Sequence, residues 1–309
     1  MYKYPVYKPY IGIKEFSNVI KCIKSGWISS LGKEIDEFED KFSSSVGCKY
    51  GVSVSNATCG LHLVLASLNL NENDEVIVPD LTFIATANAV NYTKAKIILC
   101  DISKDDLNID VNELKKLITP NTKAIIPVHL YGAPCNMDEI TKIAEKEKIF
   151  ILEDAAEAHF AMYKNKPVGS LGDAAVFSFY GNKIMTTGEG GMITTNNKNL
   201  YVRLKLLRDH AMSKDKRYWH DEVGFNYRLT NLQASFGLAQ LSRKKYIIEK
   251  KVQIFYWYKE NLKNIKGLHF NHQNNNIKNI FWLVNVFHKN LNQEKISLIK
   301  KELNINGID

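Results

Sequence analysis

The sequence predicts an α/β protein built on a seven-stranded, mainly parallel sheet that is flanked by helices. Short apolar runs rich in β-branched residues alternate with longer amphipathic stretches along most of the chain. Continuous apolar runs separated by helices are typical of parallel sheets that are covered on both faces. The composition, with 45% hydrophobic, 24% charged and 11% aromatic residues, indicates a globular protein and excludes a disordered chain.

The elements follow from this alternation. We expect strands at 51–55, 75–79, 96–101, 123–129, 149–153, 174–179 and 191–195. We expect helices at 12–24, 33–45, 58–70, 82–92, 110–117, 136–147, 197–209, 229–240 and 242–264. After residue 265 an Asn-rich turn precedes the run FWLVNVF, which we interpret as a further strand. We therefore divide the chain into a large domain with an N-terminal arm (1–245) and a connecting helix with an incomplete small domain (246–309).

Several classes of protein are disfavoured. The sequence contains no stretch of 18 uninterrupted apolar residues, so no membrane span is predicted. The opening MYKYPVYKPYIG lacks the apolar segment of a secretory signal. The five cysteines include no CxxC pair, which favours reduced thiols in the cytoplasm over a disulfide scaffold or a metal site.

The net charge of +8 does not indicate nucleic-acid binding. Lysines are scattered along the chain and mixed with acidic residues, whereas a nucleic-acid footprint would be clustered on one face. The five arginines are different, because all of them fall between residues 203 and 243. We expect solvated lysine faces and a specific role for the arginine-rich stretch.

Two segments follow predicted strands and carry small or acidic residues. Residues 55–60 (SNATCG) open an apolar helix, so their backbone N–H groups are suited either to a phosphate or to plain helix capping. In residues 151–157 (ILEDAAE), acidic groups lie at the end of a strand, where open α/β sheets bind ligands. Such a carboxylate could hold Mg²⁺, act as a base, pair with a protonated ring nitrogen, or simply face solvent.

Two further segments combine polar and aromatic residues. Lys183 lies in a loop between two apolar strands, with hydroxyls and glycines around it (SFYGNKIMTTGEGG). A desolvated lysine becomes a nucleophilic amine that is suited to imine formation. Ser178, at the end of the preceding strand, is placed to meet a phosphate. The segment 218–231 (YWHDEVGFNYRLTN) lies within the arginine-rich stretch and could be a binding loop or a packed loop before a helix.

In this order, the four segments resemble the DegT/DnrJ/EryC1/StrS sugar-nucleotide aminotransferases, which have the aspartate-aminotransferase fold of pyridoxal-phosphate (PLP) enzymes. The resemblance covers residues 5–265, and SFYGNKIMTTGEGGM is its most specific part. YPVYKPYIG, GWISSLG, VHLYGAPCNMDEI and RYWHDEVGFNYRLTNLQA resemble the branch of the family that acts on GDP-4-keto-6-deoxymannose. This branch makes the 4-amino sugar for glycan synthesis, with L-glutamate as amino donor.

The resemblance also implies a role for individual residues. Lys183 matches the catalytic lysine, which holds the cofactor covalently and moves the proton to the substrate carbon. The remaining cofactor-binding positions are Ala57, Thr58 and Ser178 at the phosphate, Asp154 at the pyridine nitrogen, Phe83 on the ring face, Glu157 near the ring hydroxyl, and Asn226 contributed by the partner subunit. Arg228, His159 and Tyr180 are candidates for substrate binding. The resemblance thus implies a homodimer with shared active sites.

Two departures from the family pattern concern the sugar and the C-terminal end. His159 and Phe160 stand where the family usually has glycine, and relatives continue through a further segment that completes the small domain. We keep open a UDP- or dTDP-linked 4-keto-6-deoxyglucose as substrate, and a catalytically impaired fragment. A dehydratase is disfavoured because Lys183 is present where those enzymes have histidine. A Rossmann dehydrogenase is disfavoured because no GxGxxG motif follows a strand.

Overall fold

The computed structural model describes residues 2–213 and 215–309. Its helices are α1 (Ile13–Ser25), α2 (Lys33–Ser45), α3 (Ala57–Ser67), α4 (Ala85–Asn91), α5 (Val111–Leu117), α6 (Met137–Glu147), α7 (Lys198–Arg208), α8 (Asn231–Leu241), α9 (Lys244–Asn261) and α10 (Gln293–Ile305). Its strands are β1 (Tyr50–Val54), β2 (Glu75–Pro79), β3 (Lys96–Cys100), β4 (Thr122–Ile125), β5 (Phe150–Asp154), β6 (Met162–Tyr163), β7 (Lys166–Pro167), β8 (Ala174–Ser178), β9 (Gly191–Thr195), β10 (Leu268–Phe270), β11 (Ile277–Lys278) and β12 (Val286–His288).

The central sheet has seven strands in the order β1-β9-β8-β5-β4-β2-β3. Strand β9 runs antiparallel to both of its neighbours, and the other six strands share one direction. These are the seven strands that the apolar runs predict, so the predicted fold class is confirmed. Because six strands are parallel, their carboxyl ends meet at one edge of the sheet, where open α/β sheets bind ligands.

Helices cover both faces of this sheet. On one face α2 contributes Phe38 and Phe42, which pack against Phe177 and Phe179 from β8 and the residue after it. On the other face α3 and α7 pack against β1, β5, β8 and β9. All residues of β8 and β9 are buried as a result. Burial on both faces explains why these strands are continuous apolar runs in the sequence.

Helix α3 is held close to the sheet at its first turn. Asn56 caps the helix, and its side-chain oxygen accepts a hydrogen bond from the N–H of Cys59 at 2.8 Å. A side chain at Gly60 would bring a Cβ atom within 2.8 Å of the Val176 side chain in β8. Glycine at this position therefore allows the start of α3 to lie directly against the carboxyl edge of the sheet.

The C-terminal part differs from the sequence prediction. The predicted strand at 281–287 is a strand only over Val286–His288. Phe281 has a φ of 49°, a left-handed conformation that bulky residues rarely adopt, and it ends any extended run there. The short strands β6, β7, β10 and β11 and the helix α10 were not predicted. The short strands form two small sheets outside the central one, with the orders β10-β12 and β11-β6-β7.

Two simpler properties concern the whole described chain. The five cysteines are free thiols, four of them buried. Among the helices of residues 2–213 and 215–309, none is both long and apolar enough to cross a membrane.

His159 lies in the aromatic core, which corrects its interpretation as a substrate-binding residue. Its ring is fully buried, and it packs against Phe42, Phe177 and Phe179 at centroid distances of 5.4–6.4 Å. Neither ring nitrogen has a hydrogen-bond partner among the described residues. Burial, and to a smaller extent the charge of Lys183, lowers the pKa of His159 to about 3. The imidazole is therefore a neutral part of the core.

This buried histidine predicts a pH dependence of stability. The unfolded chain takes up a proton at His159 below its ordinary pKa of about 6.5, whereas the folded protein does not until about pH 3, so stability falls as the pH drops through this window. Between pH 7 and pH 5 we expect this group to reduce the free energy of unfolding by about 2 kcal/mol. The His159→Leu variant should lack this part of the loss in urea unfolding, and the exposed-site control His269→Leu should retain it. An equal loss in His159→Leu and the wild type would contradict the assignment.

Candidate active site

A cavity of about 590 Å³ opens at the carboxyl edge of the central sheet. It is formed by the segments that follow β1, β2, β5 and β8, together with a residue from the C-terminal part. Eight of the residues predicted from the sequence line it: Ala57, Thr58, Phe83, Asp154, Glu157, Ser178, Tyr180 and Lys183. These positions are up to 126 residues apart in the sequence, and the parallel topology brings them together.

One wall of the cavity is the first turn of α3. The N–H of Cys59 is bound by the Asn56 side chain, but the N–H groups of Ala57 and Thr58 have no acceptor among the residues that the structure describes. A Cβ at Gly191 would come within 2.9 Å of the Ala57 nitrogen, so glycine there allows β9 to approach this turn. Free N–H groups at the positive end of a helix form a binding site for an anion such as a phosphate.

Asp154 is the last residue of β5, and its carboxylate is held in place inside the cavity. Thr86 donates its hydroxyl to Oδ2 at 2.8 Å, and the N–H of Ala156 donates to Oδ1 at 3.1 Å. Burial raises the pKa of Asp154, while these hydrogen bonds and the charge of Lys183 oppose the rise. The arrangement suits a partner that carries a positive charge and an N–H donor.

Lys183 points into the same cavity, and 12% of its side chain is exposed. Its Nζ lies 3.6 Å from Oε1 of Glu157, whose Oε2 accepts the N–H of Tyr131 at 2.8 Å. Burial lowers the pKa of Lys183, and the two carboxylates of Glu157 and Asp154 oppose this change. Burial likewise raises the pKa of Glu157. A desolvated amine that is more readily deprotonated is the condition for nucleophilic attack on a carbonyl.

Aromatic residues surround this polar centre. Phe83 and Tyr180 stand at the rim of the cavity, with exposed fractions of 70% and 50%. Trp282 forms part of the inner wall, and its ring centroid is 3.9 Å from the Lys183 Nζ. Trp282 was not predicted as a site residue, because it lies in a run that predicts a strand. Thr86 was not predicted either, because the helical pattern at 82–92 gives no reason to single it out.

The two carboxylates of the ED pair at the end of β5 have different roles. Side chains alternate along a strand, so Asp154 points into the cavity whereas Glu153 points to the other face. Glu153 is fully buried, and it accepts hydrogen bonds from the N–H groups of Gly169, Leu171 and Gly172 at 2.8–3.0 Å.

Glu153 also accepts a hydrogen bond from His129 Nε2 at 3.0 Å. The N–H of Cys135 donates to Nδ1 of the same ring, so the proton of the neutral imidazole is on Nε2.

Asn226 and Arg228 do not line the cavity within this chain. Arg228 forms an ion pair with Asp209 at 2.8 Å and donates to the Asn226 side chain at 2.9 Å. Arg228 faces a separate concave surface that also includes Leu31 and Asp209. The contact of Asn226 with the cofactor phosphate was expected across a subunit interface, and it stays a prediction. The predicted contact of Arg228 with an anionic substrate group also stays a prediction.

The family comparison decides the class of protein. The model of the DegT/DnrJ/EryC1/StrS aminotransferase family matches residues 9–309. The chain belongs to this family. Its GDP-perosamine synthase relative from Escherichia coli O157:H7 is 43% identical over 282 residues, which are 91% of this chain and 77% of the relative. The GDP-perosamine synthase of Caulobacter vibrioides is 48% identical over 254 residues, or 82% of this chain and 68% of the relative.

A solved structure of a putative sugar aminotransferase has the same fold. The putative sugar aminotransferase Spr1654 from Streptococcus pneumoniae superimposes with a TM-score of 0.92 in both its PMP form and its PLP form. The PLP form is 28% identical and covers 97% of this chain and 82% of its own. The predicted aspartate-aminotransferase-like fold and the predicted class, a PLP-dependent sugar aminotransferase, are both confirmed. The cavity fits that cofactor, because it combines free N–H groups, a buried carboxylate and a buried amine.

The buried Glu153 predicts a large loss of stability when its charge is removed. In Glu153→Gln, an NH₂ donor replaces a carboxylate oxygen that faces N–H donors, so at least one buried group loses its partner. We expect the free energy of unfolding to fall by about 2–4 kcal/mol. The control Glu145→Gln alters an exposed residue of α6 and should change it by less than about 0.5 kcal/mol. Similar losses in the two variants, measured by urea unfolding at pH 7, would refute the supporting role of Glu153.

Proposed function

We propose that this aminotransferase converts a GDP-linked 4-keto-6-deoxyhexose to its 4-amino-4,6-dideoxy sugar, with L-glutamate as amino donor. The observation that carries the proposal is the buried Lys183 amine, 3.6 Å from Glu157 and in one cavity with Asp154. The choice of sugar is supported by the GDP-perosamine synthase relatives, which are 43% and 48% identical. In the overall reaction the sugar ketone gains the amino group and a hydrogen, and glutamate leaves as 2-oxoglutarate.

The cofactor would be held by residues from four segments. Ala57 and Thr58 would offer their free N–H groups to its phosphate, and Ser178 at the end of β8 would offer its hydroxyl. Asp154 would accept a hydrogen bond from the ring nitrogen, and Phe83 would cover a face of the ring. When bound, PLP acts as an electron sink for the electrons released at the substrate carbon.

Lys183 would hold the cofactor and transfer protons. Its Nζ is desolvated, so the neutral amine is populated more readily than in water. Glu157 lies within reach of this Nζ and is itself fixed by the N–H of Tyr131. The carboxylate therefore restricts where the amine points, and it stabilises the ammonium form after each proton uptake. Tyr180 at the rim and Arg228 on the separate concave surface remain our candidates for substrate contacts.

A homodimer with shared active sites is part of this proposal. One face of α1 exposes Ile13, Phe16 and Ile20, with exposed fractions of 81%, 61% and 50%. Phe83 at the rim of the cavity and the next residue, Ile84, are exposed by 70% and 61%. Groups of large exposed apolar side chains are typical of an interface. We expect a second copy to cover them and to bring Asn226 to the cofactor phosphate.

We also retain the division into a PLP-binding large domain (1–245) and a connecting helix with a C-terminal small domain (246–309). It is supported by the 18-residue helix α9, which runs from the end of the first part into the second. A cytoplasmic location is supported by the five free thiols, which need a reducing environment.

Product analysis tests the proposed substrate. The protein would be incubated with glutamate, PLP and either GDP-4-keto-6-deoxymannose or the UDP- and dTDP-linked 4-keto-6-deoxyglucoses, and the products identified by mass spectrometry. We expect the amino sugar from the GDP substrate and none from a Lys183→Ala control. Turnover of only the UDP or dTDP substrates would contradict the GDP assignment. No amino sugar from any of these substrates, with the cofactor bound, would contradict the proposed activity of this chain.

Asp154→Asn tests the role of the buried carboxylate. The variant keeps nearly the same shape but lacks the charge that keeps a ring nitrogen protonated. We expect kcat to fall by about 10³-fold or more, because several kcal/mol of transition-state stabilisation are lost. The control Asp105→Asn changes an exposed carboxylate and should leave kcat unchanged. Near-normal turnover in Asp154→Asn would exclude this role.

Mixing two inactive variants tests the shared site. In Lys183→Ala the amine is lost, and in Asn226→Asp a new carboxylate would repel the cofactor phosphate. If Asn226 acts in the partner's site, hybrid dimers contain one site with neither substitution, so mixing should restore part of the activity. Light-scattering and subunit-exchange measurements would verify that hybrids form. Absence of recovery in proven hybrids would contradict a site built from two chains.

A further inference from the structure

Trp282 contacts the lysine loop in two ways. The face of its indole ring lies 3.9 Å from the Lys183 Nζ, and its indole N–H donates to the carbonyl of Asn182 at 2.7 Å. The side chain is almost completely buried. It therefore contacts both the reactive end of the lysine and the backbone immediately before it, although it comes from a segment about 100 residues later in the chain.

Several contacts fix the position of Trp282. Its backbone N–H donates to the carbonyl of Tyr131 at 3.1 Å, and its own carbonyl accepts a hydrogen bond from Lys251 in α9 at 3.1 Å. The preceding residue, Phe281, stacks on Phe255 of α9 with a centroid distance of 3.8 Å. Phe281 has the left-handed backbone conformation described above, which turns the chain here. Unfavourable conformations of this kind persist only where surrounding contacts hold them.

The lysine loop is also held from the side of the N-terminal arm. The hydroxyl of Tyr7 donates to the Lys183 carbonyl at 2.5 Å, and Lys251 lies over the Tyr7 ring at 4.4 Å. Two remote segments thus bind the backbone around Lys183, and Lys251 contacts both of them. Of these two contacts, only the one from Trp282 extends to the amine itself.

An indole ring at this position has two effects on the amine. Its electron-rich face attracts the ammonium form, which limits the orientations of the side chain. Its large apolar surface also excludes water from one side of Nζ, while Glu157 lies 3.6 Å away. Burial in the core alone would require neither the ring face over Nζ nor the hydrogen bond to Asn182.

We propose that Trp282 is a positioning residue, which holds the Lys183 amine inside the cavity and shields it from water. The inference rests on the proposed function, since it assumes that Lys183 is the lysine that holds the cofactor. It assigns a role in the site to the C-terminal segment that contains Trp282, for which the sequence pattern predicts only a strand of a small domain.

Amine labelling of the cofactor-free protein tests this role without any turnover. The rate of Lys183 acetylation by acetic anhydride would be measured from pH 7 to pH 10 by mass spectrometry of the peptide that contains it. The midpoint of the profile reports the acidity of the amine, and the plateau reports the exposure of its neutral form. We expect Trp282→Leu to raise the plateau about tenfold, because one wall of the cavity is lost. Trp282→Phe, which keeps a smaller ring, should give an intermediate plateau.

The matched control is Trp257→Leu, which removes an exposed indole from α9 and should leave the plateau at the wild-type value. If Trp282→Leu does not fold, as judged by circular dichroism, the comparison of Trp282→Phe with the wild type carries the test. An unchanged plateau in the folded Trp282 variants would overturn the inference. A rise of equal size in Trp257→Leu would also overturn it, since it would indicate general loosening.

The two proposals fail in different ways. Borohydride reduction of the wild-type protein with PLP, followed by peptide mapping, identifies the lysine that holds the cofactor. A label on another lysine would refute the proposed function, whatever the acetylation rates are. A label on Lys183 together with an unchanged acetylation plateau in the Trp282 variants would refute the positioning role alone.

Discussion

The amine of Lys183 and the carboxylates of Asp154 and Glu157 share one poorly solvated cavity, and the site depends on their mutual attraction. Burial alone would drive all three groups toward their neutral forms, because it lowers the pKa of the lysine and raises the pKa of each acid. The opposite charges counteract this effect. These three groups carry one positive and two negative charges, and a protonated ring nitrogen at Asp154 would balance the surplus. The same buried charges therefore lower the stability of the folded protein and favour the binding of a cationic ring.

The scaffold meets this constraint by using the ends of parallel strands. Asp154 ends β5, Ser178 ends the neighbouring β8, and the first turn of α3 follows β1, which β9 separates from β8. This part of the sheet edge therefore carries a charge, a hydroxyl and free N–H groups. The close approaches at Gly60 and Gly191 bring the helix start to this edge. Glu153, one residue before Asp154, binds three backbone N–H groups on the opposite side of the strand. The end of β5 is thereby fixed from both faces.

Much of the fold and of the site could be predicted from the sequence, because the signals lie in short local runs. The seven central strands are continuous apolar runs because both faces of the sheet are covered, and most of the site residues follow directly after such runs. The side chains that were misjudged or missed depend on distant contacts. Trp282 is placed by the Tyr131 backbone and by α9, and the left-handed Phe281 interrupts an apolar run that resembles a strand. His159 stands in a segment of the motif but points into a cluster of phenylalanines, which no spacing rule reveals.

The central claim is that Lys183, among many lysines, is the residue that holds the cofactor. Reductive trapping tests it most directly: the protein is incubated with PLP, reduced with borohydride, digested, and the modified peptide sequenced by mass spectrometry. The buried amine, which shares one cavity with Asp154 and Glu157, predicts a single modified peptide that contains Lys183, and no such modification in Lys183→Ala. Modification of a different lysine as the main product, or a Lys183→Ala protein that traps the cofactor as well as the wild type does, would contradict the account.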